Sequence, residues 1–144
     1  MKWDNSILES KFSHPANSTI VRFIEEKQPS AHSDVTEEML IALKNIPLAH
    51  SYCPDRERFS YELLYTDAGI IFALALGQAG ILFKIPDSLI ESAIADGARK
   101  YAPLDSNWLL FDPFVVEKST VQSREIIKRW CNESFAYAIT TGAT

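Results

Sequence analysis

The hydrophobic pattern in the middle of the chain has a period of two residues. Over residues 70–76, two sets of apolar side chains alternate, as they do when successive residues of a pleated strand point to opposite faces. Glycine-containing segments at 66–69 and 77–80 separate this run from its neighbours and are typical of tight turns. The pattern predicts three consecutive antiparallel strands near 60–66, 69–77 and 80–85.

Helical periodicity flanks these strands on both sides. We predict helices from Asn17 or Ser18 to about Gln28, over 34–45, after Pro86, and over 123–138. A fourth strand is predicted near 107–112, and a long irregular loop over 47–58. The order ααβββαβα indicates an α+β fold, an antiparallel β-meander plus a fourth strand, packed with helices in two layers.

Length and composition fit one domain spanning residues 1–144. The chain has 144 residues, of which 47% are hydrophobic and 23% charged, as in globular proteins with one core. The first ~16 residues and the last ~5 are expected to be loosely ordered, because termini fray unless they are packed.

Charge and targeting signals narrow the class of protein. A formal net charge of −5 argues against a generic nucleic-acid surface, which is usually basic. The first residues have no apolar segment of a signal peptide, and no apolar run has the ~20 residues of a membrane span. We therefore expect a cytoplasmic protein without a membrane partner, in which Cys53 and Cys131 remain unpaired.

Two arginines alternate with acids directly before the first strand. Arg56 and Arg58 follow Asp55 and Glu57, respectively. A solvated loop that pairs its own charges is the simpler interpretation. The alternative is that the two guanidinium groups bind a phosphate or carboxylate of a partner.

Three further residues are candidates for binding. Lys84 lies within an apolar strand, where it either protects a sheet edge from aggregation or lines a groove and meets a partner's carboxylate. Trp108 is either a core anchor or a platform for a ligand. Asp112 ends the fourth strand and would belong, with Arg56, Lys84 and Trp108, to a pocket between sheet and helices.

Motifs for catalysis, cofactors and metals are not found. His50 and Cys53 are three residues apart, with Asp55 nearby, but a metal site needs three or four converging ligands. Phosphate-binding glycine motifs and a nucleophile elbow do not occur. We predict no catalytic residue, no metal site and no cofactor.

The strand region resembles a known family. The sequence Tyr65-x-Asp67-x-Gly69, followed by Phe72 and then by Leu-Phe-Lys-Ile-Pro at 82–86, resembles the sheet motif of TfoX N-terminal-domain-like proteins. YjbR-like proteins have a similar strand–turn–strand pattern. Where the TfoX motif prefers glycine after its phenylalanine, this chain has Ser60.

Three different functions are compatible with the sequence. The resemblance implies a regulatory or adaptor domain that is not an enzyme and acts by binding a protein partner or a second copy of itself. A pocket between sheet and helices would instead make the chain a small-ligand-binding protein or an enzyme. A YjbR-like role would imply DNA binding, which the acidic composition disfavours.

Overall fold

A six-stranded antiparallel sheet runs through the part of the molecule that the structure describes. This computed structural model describes residues 6–55, 57, 60–77, 79–104, 107–112 and 120–142. The strands are β1 (Ala49–Tyr52), β2 (Leu63–Thr66), β3 (Ile71–Leu76), β4 (Gly80–Lys84), β5 (Arg99–Lys100) and β6 (Trp108–Phe111). They lie in the order β1-β2-β3-β4-β6-β5.

Five α-helices surround the sheet in the described residues. They are α1 (Ser6–Lys11), α2 (Ser18–Lys27), α3 (Ser33–Leu43), α4 (Ile90–Ala95) and α5 (Thr120–Gly142). Short 3-10 turns at Pro15–Asn17 and Asp87–Leu89 lead into α2 and α4. The turn and α4 replace the longer predicted helix after Pro86, because the chain reverses at Gly97 with a φ of 108°.

The predicted α+β class and the predicted strands are confirmed, but the sheet has two strands more than predicted. The predicted strands correspond to β2, β3, β4 and β6, all antiparallel. The segment predicted to be a loop contains β1, whose sequence Ala-His-Ser-Tyr has too few aliphatic residues to mark a strand. Both residues of β5 are exposed and charged, and they have no hydrophobic pattern.

Helices cover both faces of the sheet, so the fold has three layers and not the predicted two. On one face, α3 and α5 bury an apolar cluster centred on Phe72, Phe83 and Trp130. On the other face, α1 and α2 bury a second cluster that includes Leu8, Phe12 and further residues of the sheet. Because both faces are covered, β3 is buried along nearly its whole length.

A β-bulge in β3 changes which side chains face which helices. Leu64 pairs with Ala73, whereas the next residue, Tyr65, pairs with Ile71. Phe72 is therefore the extra residue of the bulge. It packs into the α3 and α5 cluster, where its ring lies 5.7 Å from that of Phe135.

The buried Asn17 fixes the α1 and α2 layer to the sheet. Its Nδ2 donates to the carbonyls of Phe12 (3.1 Å) and Gly69 (2.7 Å), and its Oδ1 accepts from the N–H of Ile71 (2.8 Å). Asn17 is the N-cap residue of α2, as predicted, but its side chain makes no capping bond. The bonds to Gly69 and Ile71 span 52 and 54 residues of sequence, so local rules do not predict them.

The predicted looseness of the N-terminal segment does not match residues 6–16. Leu8 and Phe12 are fully buried, at 0% and 2% exposure, against the sheet. Their burial supplies the apolar contact that holds a short helix, which would be marginal in water by itself. Residues 1–5 lie outside the described part of the chain.

The α5 layer is fixed to the sheet by a buried hydroxyl and to its neighbouring helices by charged groups. Ser134 Oγ donates at 2.8 Å to the carbonyls of Phe72 and Lys84. The Arg124 guanidinium contacts the nearly buried Glu38 carboxylate of α3 at 3.1 Å, which raises the pKa of Arg124. The indole Nε1 of Trp130, on α5, donates at 2.8 Å to the carboxylate of Asp96, which follows α4.

Candidate functional site

Of the five residues predicted to bind, the three that the structure describes do not converge. Arg56 and Arg58 lie outside the described residues. Lys84 and Trp108 are cross-strand partners in β4 and β6. Asp112 follows β6 at the opposite end of this strand pair, roughly 13 Å along the strand from Trp108 at about 3.3 Å per residue.

Trp108 and Lys84 differ in how far their side chains are buried. The side chain of Trp108 is 1% exposed in the cluster under α1 and α2, so it is a core anchor and offers no exposed face to a ligand. Lys84 is half-buried at the end of β4. Of the two interpretations of Lys84, the sheet-edge one is wrong, because β6 pairs with β4 on the side that a simple meander would leave open, and the groove one stays a prediction.

Among the described strands, the edges of the sheet are β5 and β1, and they differ in charge. Both residues of β5, Arg99 and Lys100, are exposed. Exposed charge on a short edge strand discourages pairing with another chain. At the other edge, β1 has four residues and pairs, within the described residues, with β2 alone.

The hydrogen bonds of β2 fix the direction of its backbone groups. Thr66 N–H donates to the carbonyl of Ile70 at 3.0 Å, and Ala75 N–H donates to the carbonyl of Glu62 at 2.9 Å. Residues 62 and 66 therefore point their backbone groups toward β3. Because the direction alternates with each residue, positions 63 and 65 point toward β1.

One residue of β1 consequently presents its backbone away from the sheet. His50 and Tyr52 are partners of residues 65 and 63, so they direct their N–H and C=O groups toward β2. Ser51 lies between them and directs its N–H and C=O outward. Ala49 also points outward, and its N–H is satisfied by the carbonyl of Ile46 at 3.0 Å.

The side chains beside this edge are aromatic and charged. We define the β1 surface as Lys11, His50, Tyr52, Tyr65 and Asp67. The three ring side chains are half-buried, and Lys11 and Asp67 are exposed. His50 Nε2 pairs with the Asp67 carboxylate, and the imidazole lies 5.3 Å from the ring of Tyr65. The surface thus combines packed rings with exposed polar groups.

Sequence reasoning missed His50 and Tyr52 because it assigned them to a loop. The available signal was the alternation of small Ala49 and Ser51 with these larger residues, a period of two over four positions. Four residues between two prolines are too few for that signal to outweigh a loop. Asp67, which lies in the turn after β2, pairs with His50 of β1.

The segment after β1 is held by a serine hydroxyl. Ser60 is fully buried, and its Oγ accepts from the N–H of Asp55 at 2.8 Å. Cys53 Sγ lies 3.2 Å from the same oxygen. These contacts fix the end of β1, so the edge strand is supported on its C-terminal side.

Both cysteines are free thiols in the structure. Cys131 is buried in the α3 and α5 cluster, and this burial raises the pKa of its thiol to about 12. Cys53 is half-buried near the end of β1. Among the described residues, no three His, Cys, Asp or Glu side chains lie together in a way that would bind a metal.

Within the described part of the chain, no helix combines the length and apolar character needed to cross a bilayer. Comparison with models of known families, with curated proteins and with solved structures gives no match. The likeness to TfoX and YjbR proteins therefore remains a prediction. Any functional interpretation depends on the chain's own geometry, which singles out the edge strand β1.

Proposed function

We propose that the chain is a regulatory or adaptor-type domain that binds an extended segment of a partner protein along β1. The observation that carries this proposal is the outward direction of the backbone of Ser51 at a sheet edge. An added strand needs such a donor and acceptor, and forms main-chain hydrogen bonds with them.

The β1 surface suits this mode of binding. His50 and Tyr52 stand on the same side of β1, and the side chains of an added strand would alternate beside them at a strand spacing of about 4.8 Å. Tyrosine rings supply contact area at low conformational cost and are enriched in protein interfaces. In this arrangement the main chain supplies affinity and the ring side chains supply specificity.

A protein partner fits the charges better than a nucleic acid does. The chain carries a net charge of −5, and the imidazole of His50 is paired with Asp67 rather than directed at a phosphate. A small-molecule site is disfavoured by the spread of Lys84, Trp108 and Asp112 over opposite ends of one strand pair. The proposal therefore favours a binding domain over an enzyme.

The Ser51→Pro variant tests the proposal. Proline removes the outward N–H of β1 but leaves the hydrogen bonds to β2, and proline is tolerated on edge strands in this orientation. Ser51→Ala is the matched control, because it removes the hydroxyl and keeps the N–H. The probe is a displayed library of random linear peptides, from which binders to the wild-type protein are selected.

We expect selected peptides to bind the wild type and Ser51→Ala alike and to lose at least tenfold in affinity for Ser51→Pro. Peptides that bind all three proteins equally would overturn the proposal, as would a library that yields no binder. Sedimentation of the free protein gives a separate readout. A dimer that Ser51→Pro dissociates would identify a second copy as the occupant of β1 and would contradict a heterologous partner.

A further inference from the structure

Three aromatic rings of the α1 and α2 face surround one ammonium group. The Nζ of Lys11 lies 4.9 Å from the ring centroid of Tyr65, 5.6 Å from that of Tyr52 and 5.9 Å from that of Phe12. All three distances fall within the ~6 Å range in which a cation is attracted to the face of a ring. One cation thus interacts with rings from three separate segments.

The rings are inclined to one another and do not stack. Phe12 and Tyr65 have centroids 5.0 Å apart and an interplanar angle of 74°. Phe12 and Tyr52 have centroids 5.6 Å apart at 58°. Inclined rings around a common point form a three-walled corner, which is the geometry of aromatic cages that recognise alkylammonium ions.

We propose that Phe12, Tyr52 and Tyr65 form a binding site for an alkylammonium ligand, which Lys11 occupies in the free protein. Below, these three rings are called the ring site. The proposal goes beyond strand addition, because it depends on side chains and not on the backbone of β1. A ligand of this class displaces the ammonium of Lys11 and takes its place against the three rings.

Lys11 is suited to being a replaceable occupant. It is exposed at the end of α1, and among the described residues it takes part in no ion pair. A lysine ammonium is strongly hydrated and sits on a flexible stem, so it returns to water easily. A methylated ammonium is less hydrated and offers more surface to the rings, so it is expected to compete successfully.

The three rings of the ring site are packed against the sheet, whereas the side chain of Lys11 is exposed. Phe12 is 2% exposed with the ammonium of Lys11 lying over its ring, unlike Trp108, which has no such replaceable cover among the described residues, and both tyrosines are half-buried on paired strands. Tyr65 is further packed by His50. Preformed walls lower the cost of ordering the site on binding.

Titration with choline, followed by NMR of the aromatic side chains, tests the proposal. We expect saturable shifts of the rings of Phe12, Tyr52 and Tyr65, with no comparable shifts from the uncharged tert-butyl analogue of choline. The analogue has the same shape, so a difference between the two measures the contribution of the charge. Equal responses to both compounds, or no saturable response to choline, would overturn the proposal.

Variants of Lys11 and Tyr65 separate the roles of occupant and wall. Lys11→Ala should lower the Kd for choline about tenfold, if Lys11 fills the site for about nine-tenths of the time. Tyr65→Leu should abolish binding, whereas Tyr65→Phe keeps the ring and should bind as the wild type does. An unchanged Kd in Lys11→Ala would contradict the displacement, and this exposed position does not put folding at risk.

A second pair of probes distinguishes the sources of the ligand. A short peptide with one trimethyl-lysine and the same peptide with unmodified lysine are titrated alongside choline. Tighter binding of the methylated peptide than of choline identifies a partner protein's side chain as the ligand, and equal binding identifies a free small molecule. Ser51→Pro should bind choline normally, so failure of the ring site and failure of strand addition are told apart.

Discussion

The two edge strands of the sheet, β5 and β1, differ in length and in the kind of side chain that they carry. At β5 the edge is two residues long, and both residues, Arg99 and Lys100, are exposed and cationic. At β1 the edge is four residues long, the side chains of its last three residues are half-buried, and the imidazole of His50 is paired with Asp67. The exposed charges of β5 disfavour pairing with another strand. At β1, aromatic side chains lie beside the N–H and C=O of Ser51, which point away from the sheet.

Under the proposed function, this difference separates an edge that binds a partner from an edge that is protected against aggregation. A short, charged edge strand repels added strands, which protects the folded protein. Keeping the longer edge uncharged carries an aggregation risk that a protein tolerates where the edge has a use. In the proposed function, β1 is the edge with a use and β5 is the protected edge.

The largest expected effect comes from the support behind the β1 surface. Asn17→Ala removes bonds to three buried backbone groups, those of Phe12, Gly69 and Ile71. The free energy of unfolding should fall by about 3 kcal/mol, because each orphaned group costs about 1 kcal/mol or more. Chemical denaturation measures the loss.

Asn17→Asp refines that prediction. The aspartate keeps the acceptor for Ile71 and loses the donors to the other two carbonyls, so it should also be strongly destabilised. A variant of either kind with wild-type stability would show that the α1 and α2 layer does not depend on this side chain, and that the β1 surface lacks the support described above.

A smaller effect is expected from proline substitutions within β1, and it depends on the direction of the backbone. His50→Pro removes an N–H that points toward β2, and should lower the free energy of unfolding by about 2 kcal/mol. Ser51→Pro removes an outward N–H and should change it by less than about 1 kcal/mol. Equal destabilisation by the two substitutions, measured by denaturation, would refute the assigned direction.

Sequence reasoning found the parts of the sheet where apolar side chains alternate. Strands β2, β3, β4 and β6 were predicted because their side chains pack on both faces and leave a clear period. The edges were missed because an edge strand is stabilised by pairing on one side, and neither β1 nor β5 carries the aliphatic residues that mark buried strands. Lys84 was taken for an edge residue because the sequence does not show which strand β6 joins.

The candidate site was missed for a related reason. The ring site joins α1, β1 and β2, and the contacts of Asn17 cross more than 50 residues of sequence. Such contacts follow from the order of strands, which local patterns do not specify. The buried Leu8 and Phe12 became part of the core for the same reason, since nothing in the first segment indicates the sheet face that receives them.

Removing the charges of β5 should leave both edges, β5 and β1, open to pairing with another chain. We expect the double variant Arg99→Thr and Lys100→Thr to self-associate at concentrations where the wild type does not, with stability changed by less than about 0.5 kcal/mol. Sedimentation velocity provides the measurement. The control is the double variant Arg22→Thr and Lys27→Thr, which loses the same charge at exposed positions of α2. It should self-associate no more than the wild type does. If both double variants self-associate equally, the cause is the loss of net charge and not the loss of charge at the β5 edge.

The smallest expected effect is on thiol chemistry and does not require a change of sequence. At neutral pH a thiol reagent should modify Cys53, near the end of β1, and spare the buried Cys131, whose pKa of about 12 leaves almost no thiolate. A peptide selected for binding to β1 should slow the modification of Cys53 severalfold and leave Cys131 unmodified. Rapid modification of Cys131 in the folded protein would contradict its burial.

Amide hydrogen exchange in the free protein tests the central claim, an open edge at β1, most directly. The account predicts slow exchange at His50 and Tyr52, whose N–H groups point toward β2, and fast exchange at Ser51 between them. Adding a selected peptide should slow exchange at Ser51 and leave its neighbours as they were. Protection of the Ser51 amide in the free protein to the level of His50 would mean that this edge is already covered, and would contradict the account.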